Sequence, residues 1–315
     1  MSTRTVTAGT AVPGPGETPT LPEPSGPRHD RQRFQKASLP LLFPAAALLI
    51  VLFLAPIAYS FYLGFTNLKL TGPTARHHRF TGLDNIHRLI SDGVFHESLY
   101  LTAIFVIGSG VVMTTVVALA LAVAMQRAPG AVSGVVGIVV MIAYMIPPVT
   151  IAIMWVAAGT PGGVITMLVG QSQADILHTY PMLLVSAANA WSLTGLAMLL
   201  FSAALRNIPA DIVEAAQLEN AGAIQRFIRI TLPLLKPTIV TTVLLISLMS
   251  LANFAIVFLM TGGGPGTATM ILPVYSYQQG FFFNDLAYGA LIGNITVVIT
   301  TIFSALFVRF SRRGS

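Results

Sequence analysis

Three groups of residues in this chain have types and spacings that could do chemistry. The first is a polar stretch, Pro209 to Pro237, reading PADIVEAAQLENAGAIQRFIRITLPLLKP. It carries Asp211, Glu214, Glu219, Arg226, Arg229 and Lys236, with Arg206 just before it, and it stands between two long apolar runs. Such charges offer contacts to another macromolecule rather than a reaction. The second group is uncharged: Asn189, Trp191 and Thr194 in one apolar run, Ser250 and Asn253 in the next. Amide, hydroxyl and aromatic face together suit a ligand with both CH patches and OH groups, as a sugar has. Hydrogen bonds between neighbouring helices are the competing use of the same residues. Leu193 and Leu196 add bulk there, so a pocket would be narrow. The third group is His77, His78, His87 and His96 with Asp84, Asp92 and Glu97, all in one loop. Its spacing matches no metal template, and a solvated loop is expected. Gly262 to Gly264 with Pro265 neither follow a strand nor open a phosphate-binding helix, so they read as a turn.

The elements that must position these residues follow from composition. The 315 residues are 54% hydrophobic and 9% charged, with a mean hydropathy of +0.77. Soluble domains carry about a quarter charged residues, so this is an integral membrane protein. There is no cysteine, which excludes disulfides, thiolate metal sites and cysteine nucleophiles. The net charge of +6 comes without a basic patch interleaved with aromatics, and no nucleic-acid partner is expected. Residues 1–37 are rich in Pro, Gly, Thr and Ser and lack apolar periodicity, so they read as a disordered cytoplasmic tail rather than a secretory signal. Apolar runs of spanning length follow at about 38–65, 99–125, 134–157, 181–205, 238–260 and 287–308. Pro147–Pro148 predict a kink in the third.

Lys and Arg set the orientation. With the N-terminus inside, only Lys69, Arg76, Arg79 and Arg88 of the 17 Lys and Arg fall outside, all in one loop. The fold class is therefore an all-α membrane protein of six transmembrane helices with both termini cytoplasmic. None of these spans as drawn contains Asp, Glu, Lys, Arg or His. Ion-driven carriers usually keep an ionisable residue at membrane depth, because the coupling ion must bind there. A stand-alone carrier or channel for a small polar solute is thus the alternative reading. An intramembrane enzyme is disfavoured by the absence of paired Asp, HExxH or a Ser/His dyad from the spans. No GxxxxGK[ST] loop occurs anywhere, so energy for uphill transport must enter from a partner through the cytoplasmic stretch.

That stretch predicts two short helices. Pro209 suits a first turn, and Asp211 and Glu214 place negative charge near its positive end. Asn220 interrupts, being tolerant of the left-handed conformation. Ile224, Phe227 and Ile228 then share one apolar face, Pro233 ends the second helix, and Pro237 opens the next span.

EAAQLENAGAIQRFIRITLP resembles the EAA loop of ATP-binding-cassette importer permeases, with Glu214, Ala215 and Ala216 as EAA, Glu219 in place of the usual Asp, Asn220 in place of Gly, then Ala221, Phe227, Leu232 and Pro233. FTGLDNIHRLI at 80–90 and FLMTGGGPGTATMILPVYSYQQGF at 258–281 resemble segments of the carbohydrate subgroup, the maltose or glycerol-phosphate type. The resemblance runs from about Ser38 to the C-terminus. It implies a type I ABC importer permease in a bacterial cytoplasmic membrane, with domain 38–315 as permease and 209–237 as coupling loop. It also implies a second homologous permease, a cytoplasmic ATPase dimer and an extracytoplasmic sugar-binding protein. ATP and Mg would sit in the ATPase, and this chain would bind no cofactor or metal. The same resemblance places sugar contacts in spans four and five.

Overall fold

The computed structural model describes residues 43–44, 47–219 and 222–313. The tail expected at 1–37 and the turn residues Asn220 and Ala221 lie outside them. The chain divides into two units, Met1–Pro56 and Ile57–Ser315, and the packing that positions the candidate site lies within the second. Among the described residues every regular element is helical, and the one β-type pairing is an isolated bridge between Thr66 and Phe80.

Helix α1, Ala47–Gly64, is the first span. A short amphipathic helix, α2 (Asp84–Ser91), follows in the loop. The second span, α3, is Gly93–Arg127 and starts earlier than its hydropathy suggests. Asp92 caps it: its Oδ1 accepts from the amides of Val94 at 2.9 Å and Phe95 at 3.2 Å, which satisfies two of the free donors at a helix start. Val106–Thr114 in its middle is π-helical. Thr114 Oγ1 there donates to the carbonyl of Ser109, 2.7 Å away.

The expected third span is not one helix. Helices α4 (Gly130–Met145) and α5 (Pro148–Gly159) meet at 103°, far beyond a kink. Pro147 and Pro148 both lack an amide donor, and the residue before a proline is driven out of the α region; Ile146 is extended and Pro148 opens α5.

The fourth span, α6 (Pro181–Arg206), is the most buried, at 67% of its apolar window. Its small residues allow that. Gly195 lies against α4, where a Cβ would fall 2.6 Å from the Tyr144 Cβ and 2.8 Å from the Val140 carbonyl. Ala188, Ala197 and Phe201 are fully buried, and the face they form packs on α3.

Helix α7, Ala210–Leu218, is short. Helix α8 then runs unbroken from Ala223 to Leu251. Pro233 does not end a helix and Pro237 does not open one; both lie within α8. A π-helical turn, Phe227–Thr231, precedes Pro233 and supplies the local loosening that a proline ring needs. The expected fifth span breaks instead near its far end, at Ala252–Asn253. Asn253 leaves the helical region at φ −83°, ψ 76° and caps a new helix, α9 (Phe254–Thr261). The TGGGPG turn follows, with Gly262, Gly263 and Gly266 all at positive φ, where a side chain is strained. Helix α10 (Leu272–Tyr277) and the last span, α11 (Leu286–Arg313), complete the chain.

Candidate functional site

The break in the fifth span gathers the uncharged candidates. Asn189 sits in the middle of α6 with no exposure. Its amide nitrogen donates to Ser109 Oγ on α3 at 2.8 Å and to Ser250 Oγ on α8 at 3.0 Å. Its carbonyl oxygen accepts from Asn253 Nδ2 at 2.7 Å. One amide thus ties three spans at the point where α8 stops. The arrangement is possible because α3 comes close: a Cβ on Gly110 would fall 2.8 Å from Ser250 Oγ. Buried amides need partners, since an unsatisfied polar group in a low-dielectric interior costs about 1–3 kcal/mol.

The structure brings Asn189, Ser250 and Asn253 together but leaves Thr194 and Trp191 outside this network. Thr194 is buried and its hydroxyl donates to the Ala190 carbonyl one turn back, 2.7 Å away. Trp191 is half-buried against the main apolar core. Ser109 belongs to the network although nothing in its sequence context singles it out: a serine among apolar residues is common in spans. The Gly108–Ser109–Gly110 run was the available signal.

The charged stretch behaves differently. On α7, Glu214 and Ala215 are exposed, as is Glu219 just past its end, and Leu218 is 87% exposed. Ala216 is buried at 7%, so the two alanines of the pair do not share one surface. The face expected from Ile224, Phe227 and Ile228 also divides: Phe227 is half-buried while Ile224 and Ile228 are exposed at 76% and 55%. Leu232 is half-buried and Pro233 exposed.

A second polar cluster had no place in the sequence reading. Asp92 Oδ2 accepts from the hydroxyls of Tyr275 and Tyr288, each at 2.5 Å. Beside it Arg88 pairs with Asp285 at 2.7 Å and lies 3.8 Å over the Tyr288 ring. Burial pushes the Asp92 carboxyl up, but the two phenol donors and the amides of Phe95 and Val94 outweigh it and hold it below the ordinary carboxylate range. Burial, and then the bond to Asp92, push the Tyr275 phenol well above its ordinary value. A solvated loop is the expectation for Asp92; its oxygens instead accept from these donors. Among the described residues no group of three or more His, Cys, Asp or Glu is disposed to hold a metal ion.

Beyond the break, a cavity of about 540 Å3 opens between α8, α9, α10 and α11, lined by Ala252, Phe254, Tyr277, Phe281, Thr296 and Thr300 among others.

Comparison with known proteins places these features in a family. Residues 114–314 match the family described as binding-protein-dependent transport system inner membrane component. The trehalose transport system permease protein SugA of Mycobacterium tuberculosis is 31% identical over 88% of this chain and 90% of its own length. The sulfoquinovosyl glycerol transport system permease protein SmoG of Agrobacterium fabrum is 28% identical over 86% and 89%. The sn-glycerol-3-phosphate transport system permease protein UgpA of Escherichia coli O157:H7 is 30% identical over 89% and 96%. The fold matches the crystal structure of a bacterial ABC transporter involved in the import of the acidic polysaccharide alginate. That match has a TM-score of 0.72 at 20% identity and covers 90% of this chain and 96% of the other.

Proposed function

The chain belongs to the family of binding-protein-dependent transport system inner membrane components, and from that premise we propose how this sugar-importer permease is driven: helix α7 takes up the movement of a cytoplasmic ATPase. The observation that carries this is the surface of α7. A short helix between two spans presents Glu214, Ala215 and Leu218, all exposed, which suits seating in a groove of another protein. In this reading ATP and Mg are held by the ATPase dimer, and this chain holds neither. A second homologous permease completes the path, and an extracytoplasmic binding protein delivers the sugar.

Six spans follow if α4 and α5 together make the third. The Lys and Arg distribution then supports cytoplasmic termini and a cytoplasmic α7 in a bacterial plasma membrane. The relatives' named cargoes, trehalose, sulfoquinovosyl glycerol and sn-glycerol-3-phosphate, support a carbohydrate or a carbohydrate derivative. The uncharged site favours a neutral one. Asn253 and Trp191, both partly exposed, form the path wall; the buried Asn189 and Ser250 hold Asn253 from behind, and Thr194 is buried on the same helix as Trp191. ATP-driven rocking of the two permeases alternates access to that wall.

The test is ATP-dependent sugar uptake by the reconstituted importer. Glu214→Ala and, separately, Ala215→Phe are expected to lower uptake at least about 10-fold, the loss of about 1.4 kcal/mol of coupling, and to weaken ATPase co-purification. Ala216→Phe is a different test, because Ala216 is buried; it should lower the stability of the chain itself. Uptake that proceeds without any ATPase would establish the stand-alone carrier instead.

A further inference from the structure

The break at Ala252–Asn253 has two sides. One is closed by the Asn189 network. The other opens into the cavity of about 540 Å3, a size within the roughly 300–1,000 Å3 of small-ligand sites. Ala252 of the break and its neighbours Leu248, Leu251 and Phe254 line it, and Ala252 is exposed. Irregular backbone at membrane depth is tolerated only where it is buried in protein or lines a water-filled cavity. A water-filled cavity satisfies that rule here.

Its walls differ in chemistry. On one side three rings run in series: Phe254 to Tyr277 at 5.1 Å and Tyr277 to Phe281 at 5.3 Å between centroids. Tyr277 and Phe281 keep 37% and 57% of their surface free. On the other side stand Thr296, Thr300 and Thr301 of α11. Each hydroxyl donates to the carbonyl four residues back, at 3.1, 2.7 and 2.8 Å. Their proton is spent and their lone pairs remain, so they can accept from a ligand's hydroxyls. No charged side chain lines the cavity.

We propose that this cavity is a carbohydrate subsite on the far side of the break from the Asn189 network, in which the Tyr277 and Phe281 rings stack on the CH face of a neutral sugar unit and Thr296 and Thr300 accept its hydroxyls. Aromatic faces bind CH patches, and rings already in series offer a path with no single deep minimum, which suits release as well as capture. The subsite rests on the sugar-importer reading for the class of its cargo, and the experiment separates the two.

The complete importer, with its partner permease, ATPase and binding protein, is reconstituted and given labelled trehalose and maltose. Failure of the unaltered complex to take up either sugar with ATP would overturn the sugar reading and the subsite with it. With the sugar that is taken up, Tyr277→Leu and Phe281→Leu are expected each to raise KM about 10-fold, the equivalent of one lost aromatic contact, while Tyr277→Phe restores it. An unchanged KM in both leucine variants, with the complex assembled, overturns the subsite and leaves the importer reading standing. A second measurement does not depend on transport. The chain has no cysteine, so Thr300→Cys supplies its only thiol. That thiol should react with a charged, water-soluble methanethiosulfonate, and the transported sugar should slow the reaction at least about threefold. Reaction only with a lipid-permeable maleimide would show that the cavity faces the bilayer, and would overturn the proposal.

Discussion

Two polar clusters hold segments of this chain that lie far apart in sequence, and they use opposite means. The Asn189 network joins α3, α6 and α8 with amides and hydroxyls alone. The Asp92 cluster joins α2, α3, α10 and α11 with a carboxylate, two phenols and an ion pair. Position explains the difference. The first sits mid-span, where an ionised group would be expensive to desolvate and an amide satisfied on both its ends is not. The second sits at helix ends, where Arg88 is half in solvent and the helix start offers its own amides. Charge gives strong bonds where water is near, and neutral groups give adequate bonds where it is absent.

The largest effect that would break this contrast is expected at Asp92. Asp92→Ala removes two phenol bonds and the α3 cap; bonds to charged groups are worth about 1.5–3 kcal/mol and a cap about 1. A loss of at least about 4 kcal/mol is expected, read as a fall in Tm of the detergent-purified chain. The same carboxyl has a pH signature. Its folded pKa lies below the ordinary carboxylate value of 3.8, so it contributes stability above that value and the contribution is lost as pH falls through the folded pKa. Acid should therefore lower the Tm of the parent chain more than that of Asp92→Ala, with the difference confined to pH below about 4.

Asn189→Ala comes next. It removes bonds to Ser109, Ser250 and Asn253, and hydrogen bonds between membrane helices average about 0.6 kcal/mol each, so about 2 kcal/mol is expected. A larger loss than at Asp92 would reverse the ranking and show that burial depth outweighs charge. The smallest effect is expected at Arg88. Its pair with Asp285 is half exposed on the arginine side, and such pairs are worth about 0–1 kcal/mol, with a further 0.5–1 for the ring contact. Arg88→Ala should shift Tm by less than half as much as Asp92→Ala.

Much of the site was legible from residue types. The EAA stretch stood out as charge in an apolar chain, and Asn189, Ser250 and Asn253 stood out as polar groups at depth. What could not be read was direction. Period and hydropathy do not distinguish Ala215 from Ala216, yet one is exposed and the other buried. Asp92 looked like a loop acid because its phenol partners lie 183 and 196 residues away. Ser109 looked like an ordinary serine for the same reason. The prolines misled in both directions: Pro147–Pro148 produce a near right angle rather than a kink, while Pro233 and Pro237 sit inside a continuous helix.

By itself the sequence determined the solvent this protein lives in, the number of apolar segments to within one broken pair, the charged stretch that interrupts them, and the family that stretch resembles. These are properties of composition and of local pattern, and local pattern survives without a fold. Only the tertiary structure decided that the fifth span stops at Asn253, that an amide of α6 holds it there, and that aromatic rings and threonine hydroxyls face one cavity beyond it. A break in a helix is stable only when other segments satisfy the backbone it frees. Those segments are distant in the chain, and nothing near Asn253 names them.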